Sequence, residues 1–298
     1  MDNIPFDKPG RFYRGNLHTH STCSDGALSP EAVVKAYRDE GYDFIALTDH
    51  FLERYNYPLT DTRPYRSPEF TTLIGAELHG PKIDLGGMWH VVAAGLPLDF
   101  EPLREGESGP DIAARAAATG AFVGAAHPAW YGLTMGDLER VLGAVDAIEV
   151  YNETCAELND RGDSWAICDA LLARGHKLSA YAADDAHFGR HDYFGAWVQV
   201  WAKSLEPELL LKALKAGQYY SSQGPEIKEL HVEDCCVHIE SSPVRAVFAS
   251  SVGAQAERRL GTNMTRCTLP LERFQGSYCR LTLVDAAGKR AWTNPIWL

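Results

Sequence analysis

No run of about 18 consecutive apolar residues occurs in the 298-residue chain, so no segment suits a membrane-spanning helix. The opening stretch, MDNIPFDKPGRFYRG, has no apolar core of the kind a secretory leader carries. Cysteine is sparse and odd in number: seven residues, at 23, 155, 168, 235, 236, 267 and 279, without one C-x-x-C pair. That pattern excludes a disulfide framework and points to reduced thiols in a cytoplasmic protein. Positive charge is also in short supply, with 28 Lys and Arg against 40 Asp and Glu and a net charge of −12. A chain this acidic is not expected to grip duplex nucleic acid or an anionic membrane through its overall field. Internal repeats and low-complexity tracts are lacking as well.

With 45% hydrophobic and 23% charged residues, the composition is that of an ordinary globular protein. Residues 12–222 alternate short apolar runs with helical stretches. The strand-like runs are FYRGNLH, DFIALTD, TTLIGAEL, HVVAAGL, GAFVGAA, DAIEVY, KLSAYAA and GAWVQVWA. Helical spacing of apolar residues falls at 30–41, 110–120, 136–144, 162–175 and 207–217, most of these stretches stopping at a glycine. Ser29-Pro30 reads as a cap followed by proline in the first turn. Strands alternating with helices imply an α/β fold with a mainly parallel sheet, closed or nearly closed into a barrel. Beyond Ser221 helical spacing disappears. IKELHVE, CCVHIES, RAVFAS, RRLG, CTLPLE, YCRLTLVD and KRAWTNPIWL read as short strands, with a hairpin turn at Asp285–Gly288. The expected division is a barrel over residues 1–222 and a small antiparallel β-sandwich over 223–298.

Imidazoles and carboxylates collect beside the predicted strands. The first strand runs into His18-Thr19-His20 and then Asp25; DFIALTD leads to His50; TTLIGAEL ends near Glu77; GAFVGAA ends at His127-Pro128; and AYAA leads to Asp185-Ala186-His187. In a parallel barrel the carboxyl ends of the strands share one face, where active sites form. An H-x-H pair on extended backbone puts both rings on one side. Neutral imidazoles with carboxylates suit Zn²⁺, Mn²⁺ or Fe²⁺. His90 opens its strand instead of ending it, so it joins this face only if the preceding loop lifts it there or the strand runs the other way. His79, two residues past Glu77, competes with it. Each residue alone reads as an ordinary loop or surface position; the joint pattern carries the expectation.

RGNLHTHSTCSDGALSPEAVVKAYRDEGYDFIALTDH resembles the opening of a PHP (polymerase and histidinol phosphatase) domain. The motifs GAEL, HVVAAGL, AHP and ADDAH follow in that family's order over about residues 13–222, and GQYYSSQGPEI with AWTNPIWL is similar to two-domain members. The resemblance implies a distorted (β/α)₇ TIM-like barrel followed by a small antiparallel β-sandwich. It also implies a trinuclear site for two or three divalent ions, manganese, iron or zinc. His18, His20, Glu77 and Asp185 would hold the first ion, and Glu77 would bridge to a second at His90 and His127. Asp25, His50 and His187 would hold a third. The implied activity is hydrolysis of a phosphoester by a metal-bridging hydroxide, with Glu77 and Asp185 holding it.

Three divalent ions against three carboxylates leave the pocket at about +3, which reconciles an acidic exterior with a phosphorylated substrate or nucleotide. Arg54, Arg63, Arg66, Arg190 and His191 follow ligand segments and are candidates for gripping phosphate. Trp130, Tyr131 and Asn152 are candidates for lining the pocket. Residues 51–70 are expected to cap it, Cys23 to be a packed thiol, and Asp184 to accept from a ligating imidazole. Two other readings stand beside the esterase. One is a non-catalytic, metal-stabilised module whose C-terminal β-sandwich binds a partner. The other is metal-assisted C–N hydrolysis, which usually relies on a bridging lysine that is missing near these motifs.

Overall fold

The computed structural model describes residues 4, 6 and 9–298; the opening stretch on which the expectation about a secretory leader rests lies partly outside these. In chain order the first part comprises β1 (Arg11–Asn16), α1 (Pro30–Asp39), β2 (Phe44–Leu47), β3 (His50–Phe51), β4 (Thr71–Pro81) and β5 (Met88–Ala94). It continues through α2 (Gly109–Ala118), β6 (Phe122–Ala125), α3 (Pro128–Tyr131), α4 (Met135–Val141), β7 (Ala147–Asn152), α5 (Glu153–Asn159) and α6 (Trp165–Ala173). Next come β8 (Ser179–Ala183), β9 (Trp197–Ala202), α7 (Pro207–Lys215) and β10 (Tyr219–Ser222). Only strands and a single 3₁₀ turn follow: β11 (Ile227–Glu233), β12 (Cys236–Ser250), β13 (Ala256–Pro270), β14 (Tyr278–Val284), β15 (Arg290–Thr293) and β16 (Ile296–Trp297).

Local chemistry explains the helix starts. The Ser29 hydroxyl accepts from the Ala32 amide ahead of Pro30, and Ser108 and Thr134 each form a reciprocal capping box with Asp111 and Asp137. Every residue of β2 and of β6 is buried, as expected where a strand is covered on both faces. The helix α2 approaches β4 closely enough that a Cβ on Gly80 would lie 2.3 Å from Gly109 Cα. Glycine at 80 permits that approach, and glycine at 109 leaves room for the Trp89 ring on β5.

Strand direction decides the site. β1, β2 and β4 pair in parallel, and so do β6, β7 and β8. β5 lies between the two sets and runs antiparallel to both neighbours. Its reversal places its first residues beside the last residues of β4, with His90 directly opposite His79. Past the ends of β1 and β8, a parallel bridge joins Thr19 to Ala186; His20 N–H donates to Ala186 O and Asp185 N–H to His18 O, each at 2.9 Å. The last strand of this run is thereby tied back to the first.

The other edge of β1 carries β9, then β10, β15, β14, β12 and β11, all antiparallel. Among the described residues one sixteen-stranded sheet therefore runs through the α/β fold, and hydrogen bonds from β10 to β15 cross the boundary expected near residue 222. The four short strands expected between 235 and 272 are two strands of fifteen residues each, β12 and β13. Pairing slips between Glu240 and Val244 and again before Ala246. Pro243 lies in that interval, where its missing N–H costs no ladder bond. The turn at Asp285–Gly288 forms as expected, with Gly288 N–H donating to Asp285 O.

Candidate metal centre

The segments singled out in the sequence converge at the end of the sheet marked by the Thr19–Ala186 bridge. His18 and His20 follow β1, His50 opens β3, Glu77 and His79 lie on the outer half of β4, and His90 on the facing half of β5. His127 precedes α3, and Asp185 and His187 follow β8. His127 and Asp185 hold positive φ, 26° and 58°, which turns each side chain off its strand line.

Glu77 is the hub. His90 Nδ1 lies 2.6 Å and His127 Nε2 3.1 Å from Oε1, while His50 Nδ1 lies 2.5 Å from Oε2. Asp185 Oδ1 stands 2.9 Å from His20 Nε2 and 3.2 Å from His18 Nε2. Asp25 Oδ2 and Oδ1 face His50 Nε2 and His187 Nε2 at 3.4 and 3.5 Å. His79 Nε2 lies 3.0 Å from His50 Nδ1 and 3.8 Å from Glu77, so both competitors for the His90 role enter the cluster. Four groups place their donor atoms within 4.8 Å of one another: His20/Asp25/His50/His187, His50/Glu77/His79/His90, His18/His20/Asp185 and His18/Glu77/His127.

Burial makes this arrangement costly without counter-charge. His18, His20 and Glu77 are fully buried. Burial and the neighbouring His187 push the His20 imidazole down to about 4, leaving it neutral and able to donate a lone pair. For His50, burial is outweighed by Glu77 and Asp25, which push it up to about 10. Burial would raise the Glu77 carboxyl, but His90, His50 and His18 hold it well below the usual carboxylate range. Among the described residues, His79 Nδ1, His90 Nε2 and His127 Nδ1 are buried with no hydrogen-bond partner, and His18 Nε2 and Glu77 Oε2, though close to Asp185 and His50, make no hydrogen bond of good geometry. Orphaned lone pairs on imidazoles and carboxylates are what divalent cations satisfy, so the residues fit such ions.

A further layer sets these groups. Glu149, fully buried in β7, accepts from His18 Nδ1 at 2.9 Å, from the His127 amide at 2.7 Å and from Asn152 Nδ2 at 3.0 Å. Sequence reading missed it, although a lone acid inside the apolar run DAIEVY was the available signal. Asp49 accepts from the Ser21 amide and from the Ser21 and Ser24 hydroxyls, each at 2.7 Å, and so shapes the loop that presents Asp25. Asp184 does not accept from an imidazole, contrary to expectation. It accepts from Tyr37 Oη and from the amides of Phe194, Gly195 and Ala196, which fastens the chain after β8.

A cavity of about 330 Å³ opens over the cluster, lined on its non-ligand side by Trp130, Tyr131, Thr154, Cys155, Leu158 and Arg190. Several expected pocket residues lie elsewhere. Arg63 is committed to Asp61 through two bonds of 2.7 and 2.8 Å. Arg66 binds Thr72 at the opposite end of β4, and exposed Arg54 stacks on Tyr55. His191 packs edge-on against Tyr193. Asn152 bridges Glu149 and Asp185 beneath the site instead of lining the cavity. No residue of 51–70 lines the cavity either; Tyr55 stacks 6.2 Å from His50 and Thr60 Oγ1 reaches the packed Cys23 thiol. All seven cysteines are free, and burial pushes the Cys155 thiol far up. Among the described residues, no helix is long and apolar enough to cross a membrane.

No family model matches the chain. A 49-residue stretch is 43% identical to the DNA polymerase/3'-5' exonuclease PolX of Bacillus subtilis, covering 16% of this chain and 8% of that protein. Among solved structures, a two-domain protein from Bacteroides vulgatus, described as containing a predicted PHP-like metal-dependent phosphoesterase, superposes with a TM-score of 0.54. It is 16% identical, over 99% of both chains. PsfC from Pseudomonas syringae gives a TM-score of 0.43 at 17% identity, over 64% of this chain and 82% of its own. The chain thus resembles the PHP family in its motifs and shares, along its whole length, the fold of a two-domain PHP-like protein.

Proposed function

We propose that the chain is a metal-dependent phosphoesterase, with a distorted (β/α)₇ barrel over residues 1–222 and a small antiparallel β-sandwich over 223–298. The observation that carries this reading is the convergence of ten imidazole and carboxylate side chains, the nine expected ones and His79, on one largely buried cluster beneath a 330 Å³ cavity. His18, His20, Glu77 and Asp185 would hold one divalent ion, Glu77, His90 and His127 a second, and Asp25, His50 and His187 a third. Manganese, iron or zinc all suit this donor set. Such ions supply Lewis acidity and lower the pKa of water to about 7, so no nucleophilic side chain is required. The high-pKa Cys155 thiol is not suited to that role.

The chain's own residues supply position. Glu149 fixes the His18 ring with its proton on Nδ1, which leaves Nε2, the atom facing Asp185 and Glu77, with a lone pair for a cation between them. Asn152 holds the outer oxygen of Asp185. Arg190 at the rim supplies a cation for a phosphate oxygen, and Trp130 with Tyr131 supplies a ring-bearing wall. The substrate class is a small phosphomonoester or a nucleotide or oligonucleotide phosphodiester, met in the cytoplasm. Purified protein assayed with Mn²⁺ on generic mono- and diester substrates tests the reading. Turnover no greater than that of a Glu77→Ala, Asp185→Ala variant overturns it. Bound metal without hydrolysis would favour the module reading.

A further inference from the structure

A second group of metal-type donors stands on β11 and β12, in a part of the sheet that the buried centre does not use. The two strands form a hairpin whose connecting residues, Asp234 and Cys235, both have positive φ, 48° and 56°, the pattern of a two-residue primed turn. That turn sets the register His231↔His238 and Glu229↔Glu240. Alternation then puts Glu229, His231 and Glu233 on one face together with His238. The His231 and His238 rings lie 4.8 Å apart and 12° from parallel. Donor atoms of His231, Glu233 and His238 fall within 4.8 Å of one another.

The surroundings favour a cation. Thr268, opposite His238 on β13, places its hydroxyl 3.1 Å from His238 Nδ1; accepting there, it leaves Nε2 with the lone pair. Glu229 Oε1 stands 3.7 Å from His231 Nδ1, beyond hydrogen-bond reach, and adds negative charge beside that ring. Arg266 is the arginine beside this groove, and Glu240 already neutralises it at 2.8 Å. Among the described residues, no lysine or arginine pairs with Glu229 or Glu233. The face therefore offers two imidazoles and uncompensated carboxylate charge on a preset hairpin, open to a groove of about 400 Å³.

We propose that this face is a second metal site, separate from the buried centre, which takes one divalent transition-metal ion such as Zn²⁺ through His231, His238 and Glu233. Water completes the shell, since the site is open. Among the described residues, β11 is the outermost strand of the sheet and pairs with β12 alone. An ion held by ligands from both β11 and β12 clamps that edge, so the C-terminal part of the sheet gains order when the ion is present.

The test is calorimetric titration of Zn²⁺ into the full chain preloaded with Mn²⁺, with elemental analysis before and after. Wild type should take up one Zn²⁺ more than a His231→Ala, His238→Ala variant while both keep the same Mn²⁺ content. Loss of one ligand should weaken Zn²⁺ by at least the roughly tenfold that an outer partner costs, so Glu233→Gln should bind at least about tenfold more weakly. His231→Phe keeps a stacked ring without a donor nitrogen. It should lose the extra Zn²⁺ with the fold intact, even if the double variant misfolds. The same Zn²⁺ stoichiometry and affinity in wild type and His231→Phe overturns the proposal.

Discussion

Replacing Glu149 by glutamine tests whether a buried carboxylate outside the ligand set controls the centre. The change conserves shape but exchanges one acceptor oxygen for an NH₂ group. Glu149 accepts on Oε1 from His18 Nδ1 and on Oε2 from both the His127 amide and Asn152 Nδ2. A glutamine would keep its oxygen toward the two donors and turn its NH₂ toward His18. The ring must then carry its proton on Nε2, the atom that faces Asp185 at 3.2 Å and Glu77 at 3.6 Å. In that tautomer His18 cannot donate a lone pair to a cation. Loss of an outer partner of this kind costs about 10- to 100-fold in metal affinity, or about 1.4–2.7 kcal/mol. Competition between the protein and a fluorescent chelator for Mn²⁺ or Zn²⁺ measures the change, and far-UV circular dichroism checks the fold. A folded Glu149→Gln protein that keeps its ions with wild-type affinity would refute the tautomer argument.

Other consequences follow from particular contacts. Arg280 makes two bonds to Asp169 at 2.6 and 2.7 Å and lies over the Trp165 ring, joining β14 to α6. Asp169→Ala should cost about 2–3 kcal/mol, below the usual range for a buried pair because Asp169 is partly exposed, and should appear as a lower Tm in a thermal melt. Gly109→Ala would place a Cβ 2.1 Å from the buried Trp89 ring and should destabilise by about 1–3 kcal/mol, read by urea unfolding. Prolonged chelation should lower Tm, because buried imidazoles and carboxylates then lose their counter-charge; an unchanged melt would contradict the fit of the centre to cations. Cys155, buried and with its thiol pushed far up, should resist iodoacetamide in the folded protein and react only on denaturation, as peptide mass mapping would report.

What the sequence by itself determined about this protein is the chemistry of its candidate ligands and their places near strand ends. H-x-H, the acid at position 77 and D-x-H are local patterns; alternation on extended backbone accounts for the first, whereas Asp185 reaches its place through a positive φ of 58°. Ser29, with Pro30 after it, similarly marked a helix start through a bond made within four residues. Tertiary structure alone decided the rest. The direction of β5 depends on pairing with strands on both sides, and that pairing determined whether His90 and His79 could reach Glu77. Glu149 looks like one more residue of an apolar strand until folding sets it beneath His18 and His127. Arg63 and Arg66 looked available for phosphate because sequence does not reveal Asp61 and Thr72 as their partners. The cavity wall comes instead from 130–131, 154–158 and Arg190, segments far apart in the chain. Side-chain periodicity is a property of a few bonds, whereas partner choice is settled by which distant surfaces exclude water together.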